Sequence, residues 1–117
     1  MANYPVDIWL RGTDYATTRQ ITDVSEATAW TDADVESVLK QMLRAMDREK
    51  NPGGEERPVF LRGFSWIVNP YDEGGVVLAI ELQTGAAIAG PFSIDRRALE
   101  SMVTRVMARG SSAPAIH

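Results

Sequence analysis

Cysteine is absent from this 117-residue chain, and histidine occurs once, as the last residue, His117. The first absence excludes disulfides, thiolate nucleophiles and the usual structural zinc sites, and it fits a reducing compartment. The second leaves histidine catalysis and a histidine-held metal without a rigid anchor, so neither a catalytic residue nor a metal site is assigned. No apolar run approaches the roughly 20 residues that span a bilayer. The N-terminus, beginning Met1-Ala2-Asn3-Tyr4, lacks the basic and long apolar regions of a secretory signal. Positive charge is also in deficit, with 16 Asp and Glu against 12 Lys and Arg. The imbalance lies wholly in residues 1–58, which hold 11 acids and 7 bases, whereas residues 59–117 balance at 5 and 5. An acidic total argues against duplex DNA and anionic membranes, both of which select a basic footprint. A soluble cytoplasmic protein is the expectation.

What is present is the composition of one ordinary globular domain, 44% hydrophobic and 24% charged. At this length roughly two-thirds of the unfolded chain's surface can be buried, so no staple is required. One domain over residues 1–110 is expected, with a disordered tail at 111–117.

The most β-prone stretch runs from Pro58 to Val68 and reads as the central strand. Its period of two places Phe60, Arg62, Phe64, Trp66 and Val68 on one side and Val59, Leu61, Gly63, Ser65 and Ile67 on the other. Alternation of Val6, Ile8 and Leu10 with Asp7, Trp9 and Arg11 predicts a strand over 5–11, and the threonine-rich segment 17–24 is compatible with a second. Val35, Val38, Leu39, Met42, Leu43 and Met46 recur at helical spacing after a Thr31 cap, predicting a helix over 32–50. Val76 to Gln83 and Ala86 to Phe92 read as strands joined by a tight hairpin at Thr84-Gly85, the second lying at an edge or ending in a bulge at Gly90-Pro91. Ser93 or Asp95 caps a last helix that ends at Gly110. Met42, Met46, Met102 and Met107 fall at helical core spacing and read as adaptable packing.

Ile8-Trp9-Leu10-Arg11-Gly12 resembles Val59-Phe60-Leu61-Arg62-Gly63, and Val35-Glu36-Ser37-Val38-Leu39 resembles Leu99-Glu100-Ser101-Met102-Val103, in the same order. Either the chain holds an internal strand-strand-helix duplication, residues 5–50 and 58–109, or short patterns recur in two like elements. Under duplication, Trp9, Arg11, Phe60, Arg62, Phe64 and Trp66 share the sheet face opposite the helices. The fold expected is α+β: a two-layer sandwich with a mostly antiparallel sheet of about five strands and both helices on one face. Size, acidic charge and a strand-strand-strand-helix ending resemble small acidic secretion chaperones at the level of fold, without their usual N-terminal helix.

Chemistry is sparse. Gly85-Ala86-Ala87-Ile88-Ala89-Gly90 lacks both the Lys-Ser/Thr of a phosphate loop and the spacing of a dinucleotide turn, and no cofactor is expected. Glu55-Glu56 and Asp72-Glu73 sit in glycine- or proline-flanked turns and read as solvated charge. Glu81, inside a strand, is placed to pair with Arg62. Arg96 and Arg97 put positive charge at a helix N-terminus, where a bound anion, or plain solvation, would offset it. The aromatic and arginine set is the one constellation left. It reads as core covered by the segment bearing Trp30, as a homodimer interface, or as a platform for a small anionic ligand or single-stranded nucleic acid. The expectation is a non-enzymatic module that self-associates through this face.

Overall fold

Alternating burial along each strand turns one face of a five-stranded sheet toward two helices. The computed structural model describes residues 2–54, 59–72 and 74–112. The chain runs β1 (Ala2–Leu10), β2 (Thr17–Val24), a 3-10 turn (Ala27–Ala29), α1 (Asp32–Lys50), β3 (Ser65–Pro70), β4 (Val76–Leu82), β5 (Gly85–Phe92) and α2 (Arg96–Ser112). Strand order is β2-β1-β5-β4-β3, with every neighbouring pair antiparallel. α1 lies over β1, β2 and β5, and α2 over β3. This is the α+β two-layer sandwich expected from the pattern, with α1 over the residues its periodicity marked.

Two strands exchange the places expected of them. The stretch read as central supplies only β3, at one edge; Val59 to Phe64 lie outside the sheet, and Pro58 falls outside the described residues. Gly63 turns the chain at φ +79°, just before pairing begins at Ser65. The true centre is β5, the glycine- and alanine-rich strand. Hydrophobicity measures what a segment gains from burial and does not count the strands flanking it. A central strand beneath packed helices must instead tolerate close approach. Ala87 and Ala89 are fully buried there, and a Cβ on Gly85 would sit 2.1 Å from the Trp9 carbonyl oxygen of β1. The bulge expected at Gly90-Pro91 is present, since β4 advances from Val76 to Leu78 while β5 runs from Phe92 to Ala89. Pro70 ends β3, where an edge strand tolerates a missing N–H.

The core is cemented by three aromatic rings on the helix side. Phe92 is fully buried and meets Tyr4 at 4.8 Å and Trp30 at 4.7 Å between centroids. Their polar atoms are satisfied: the Ala27 N–H donates to the Tyr4 hydroxyl at 2.9 Å, and Trp30 Nε1 donates to the Ser25 carbonyl at 2.7 Å. These bonds anchor the connection between β2 and α1, the least patterned part of the sequence.

Both helices start as their caps predict. The Thr31 N–H and hydroxyl donate to the Asp34 carboxylate at 2.8 and 3.0 Å, and Asp95 accepts the Ala98 N–H at 3.1 Å. α2 continues through Gly110 to Ser112 rather than stopping at the glycine. Glycine costs a helix only about 1 kcal/mol, which makes it a weak stop. The remaining tail, 113–117, lies outside the described residues. Across the helix pair, Arg105 donates twice to Asp32, both at 2.9 Å, with Arg109 at 3.9 Å. The hydrogen bond from Arg105 holds the Asp32 carboxyl below its ordinary value of 3.8, against a smaller opposing effect of burial.

The two Leu-Arg-Gly segments do not occupy equivalent places. One closes the inner strand β1; the other lies outside the sheet. What they share is a turn glycine at positive φ, Gly12 at +94° and Gly63 at +79°. The duplication therefore gains no support from the structure.

Two outcomes follow from this packing. Gly85→Ala should destabilise the fold by more than about 1 kcal/mol, read from the urea midpoint, because the new methyl meets backbone on the paired strand. Asp32 is depressed on folding, so its contribution is fully present above pH 3.8 and is lost as the pH falls below that value. Asp32→Asn should therefore lower the urea midpoint at neutral pH, and its difference from wild type should shrink on acidification below pH 3.8.

Candidate functional site

Register decides which side chains share the uncovered face. Trp66 lies opposite Ile80 and Val68 opposite Leu78. Ile80, Leu78 and Val68 are buried in the helix-side core. The even residues of β3 therefore meet the helices. Trp66 pairs into the inner face, and Phe64, just before the strand, likewise packs partly buried against the core. Both pack, partly buried, against the helix-side core, so they do not point from the open face as expected. Trp30, however, packs on the helix side instead of covering the open face.

The other predicted residues separate further. Trp9 does stand on the open face, opposite Ala86 and 37% exposed. Arg11 is engaged in structure, its Nε donating to the Gln83 carbonyl at 2.6 Å and its N–H to the Thr84 carbonyl at 2.9 Å, so it ties β1 to the β4–β5 hairpin. Phe60 is 60% exposed, with the Arg62 guanidinium 5.1 Å above its ring. That pair lines a recess of about 500 Å3 at the C-terminal end of α1. Arg62 does not pair with Glu81, because it never reaches the sheet. Arg96 and Arg97 stand exposed on the first turn of α2, where Asp95 already supplies the negative charge. Of the adjacent carboxylates, Glu55, Glu56 and Glu73 lie outside the described residues; Asp72 is exposed.

Reading across the strands gives the open face as rows. Trp9, Ala86, Glu81 and Ser65 stand side by side, and the next row is Thr18, Asp7, Ile88, Ala79 and Ile67. Ala79 and Ala86 are short, so they floor a groove of about 330 Å3 beside Ile67 and Ile88. Ile67 is 52% exposed and projects at the edge strand. Charge on these two rows is acidic and sparse, Asp7 being engaged by the Thr18 hydroxyl at 2.6 Å. The face is thus a small-residue depression flanked by large apolar side chains, in place of the expected cluster of rings and arginines. Ile67, Ala79 and Ile88 were not picked out from the sequence. The alternation of β4 placed Ala79 opposite Leu78 and Ile80, but the in-or-out choice for β3 was open.

Among the described residues, no group of three His, Asp or Glu is arranged to hold a metal ion, and no helix is long and apolar enough to cross a membrane. Compared with known proteins, the chain matches no family model, and no curated protein or solved structure is significantly similar to it.

Truncation separates the two tryptophans. Trp66→Ala should cost about 1–3 kcal/mol, less than the 3–5 of a fully buried ring, because its outer part is wet. Trp9→Ala should change the urea midpoint by no more than about 0.5 kcal/mol. Equal losses would contradict the assigned faces.

Proposed function

We propose that the protein is a small, non-enzymatic interaction module of the cytoplasm that self-associates through the open face of its sheet. The observation that carries this reading is self-complementarity: the Ala79 and Ala86 depression lies beside Ile67 and Trp9, so projections and hollow belong to one surface. A two-fold dimer requires such a patch, since each copy presents the same residues to the other. Sheet faces pack about 10 Å apart with interdigitating side chains, which small residues opposite branched ones allow. The sparse acidic charge supports a protein partner over nucleic acid, and Arg11 and Arg62, which a phosphate backbone would need, have other engagements.

Size sets the strength. Five strands about 4.8 Å apart, each adding about 20 Å of length, present a face of about 500 Å2. Two such faces bury about 1,000 Å2, the lower end of specific interfaces, so the dimer is of the readily dissociating kind.

Sedimentation equilibrium over a wide concentration range tests the proposal. Wild type should pass from monomer to dimer, and Ile67→Glu, which buries a charge in the contact, should weaken association at least tenfold. Phe60→Ala, away from the face, should leave it unchanged. A wild-type chain that stays monomeric at the highest concentration, or an Ile67→Glu variant that dimerises equally well, would overturn the proposal.

A further inference from the structure

On the side of the molecule where β2 forms the sheet edge, α1 and β2 enclose a groove of about 410 Å3 lined by Arg19, Gln20, Thr22, Gln41, Arg44 and Arg48. Gln41, Arg44 and Arg48 recur at i, i+3 and i+7, so one face of α1 presents all three. The walls are held in place. Gln41 accepts the Thr22 N–H at 2.9 Å and donates to the Thr22 carbonyl at 2.8 Å, pairing with the outer edge of β2 much as another strand would. Arg19 is oriented by Glu49, its Nε donating to Oε2 at 2.6 Å. Among the described residues no carboxylate lines the groove, although the chain as a whole carries a net charge of −4.

Arg44 is the unusual member. It is half-buried, its Nε is shut away from solvent, and that atom has no hydrogen-bond partner. No ion pair to Arg44 is formed among the described residues. A guanidinium cannot shed its proton, so this is a partly desolvated cation that no described residue pairs with. Such a group is costly unless an anion approaches its outer nitrogens, where a phosphate oxygen pair matches the planar fork.

We infer that this groove binds a small phosphate-bearing anion. The volume exceeds that of a lone phosphate and falls in the range of small-ligand sites. Among the described residues no aromatic ring lines it, so it offers no stacking surface for a nucleobase, and a diphosphate or sugar phosphate is the class that fits. The site is separate from the dimer face, being lined by different residues, and stands or falls independently of it.

The test uses the full chain at low ionic strength, titrated calorimetrically with inorganic pyrophosphate and, in parallel, with ribose 5-phosphate. Sodium chloride at matched ionic strength is the control in thermal unfolding. Pyrophosphate should bind, raise the melting temperature above the chloride control, and lose affinity as salt is added. Arg44→Met should weaken binding at least tenfold, and Arg44→Lys should recover only part of it, since a point charge lacks the fork. Arg62→Met, outside the groove, should bind as wild type does. Should Arg44→Met fail to fold, Arg48→Met on the exposed wall carries the same expectation. Absence of binding by both ligands, a melting shift no larger than that of chloride, or undiminished affinity in the groove variants would overturn the inference.

Discussion

Two helices can cover one face of a five-stranded sheet, and the contact that selects which face is the packing of Phe92 with Tyr4 and Trp30. These rings come from the central strand, the neighbouring β1 and the connection to α1. Once Tyr4 turns inward, the period of two sends Val6 and Ile8 inward with it and Pro5, Asp7 and Trp9 outward. Register carries the choice across the sheet, through Ile8 and Ala87 to Ile80 and finally Trp66. A one-residue slip anywhere would move a whole set of apolar side chains into water.

The same constraint explains the modest size of the residues at the centre. Helix α1 packs over β5, where Ala87 and Ala89 leave space, and on the reverse side Ala86 and Ala79 leave a hollow for the same reason. The apolar groove is thus the outward counterpart of a strand chosen for small side chains. Charge is arranged around the periphery. Asp32 joins the two helices through Arg105, and Arg19, Arg44 and Arg48 gather at the β2 edge. A protein acidic in total therefore keeps a local basic groove, which net charge conceals.

Most elements were legible because their signals are local. The α1 stripe, the Thr31 and Asp95 caps, the β4–β5 hairpin and the Gly90-Pro91 bulge each follow from a few consecutive residues. The candidate site was less legible. Trp9 reached the open face as expected, whereas Phe64 and Trp66 turned to the core and Arg11 became a hairpin tie. Phe60 and Arg62 left the sheet at Gly63, whose positive φ no hydrophobic pattern announces. Ile67 is apolar yet exposed, and its strand has apolar residues on both sides, so alternation alone could not choose between them.

By itself the sequence determined the α+β class, the antiparallel strands, the two helices and the acidic balance, because propensity, periodicity and charge are carried residue by residue. Only the tertiary structure decided the strand order, the inward turn of Trp66, and the company that Arg44 keeps. Those depend on pairings between segments far apart in the chain. The free energy of each pairing lies in mutual fit, with alanines beneath a helix and a ring between two others, and no single segment records that.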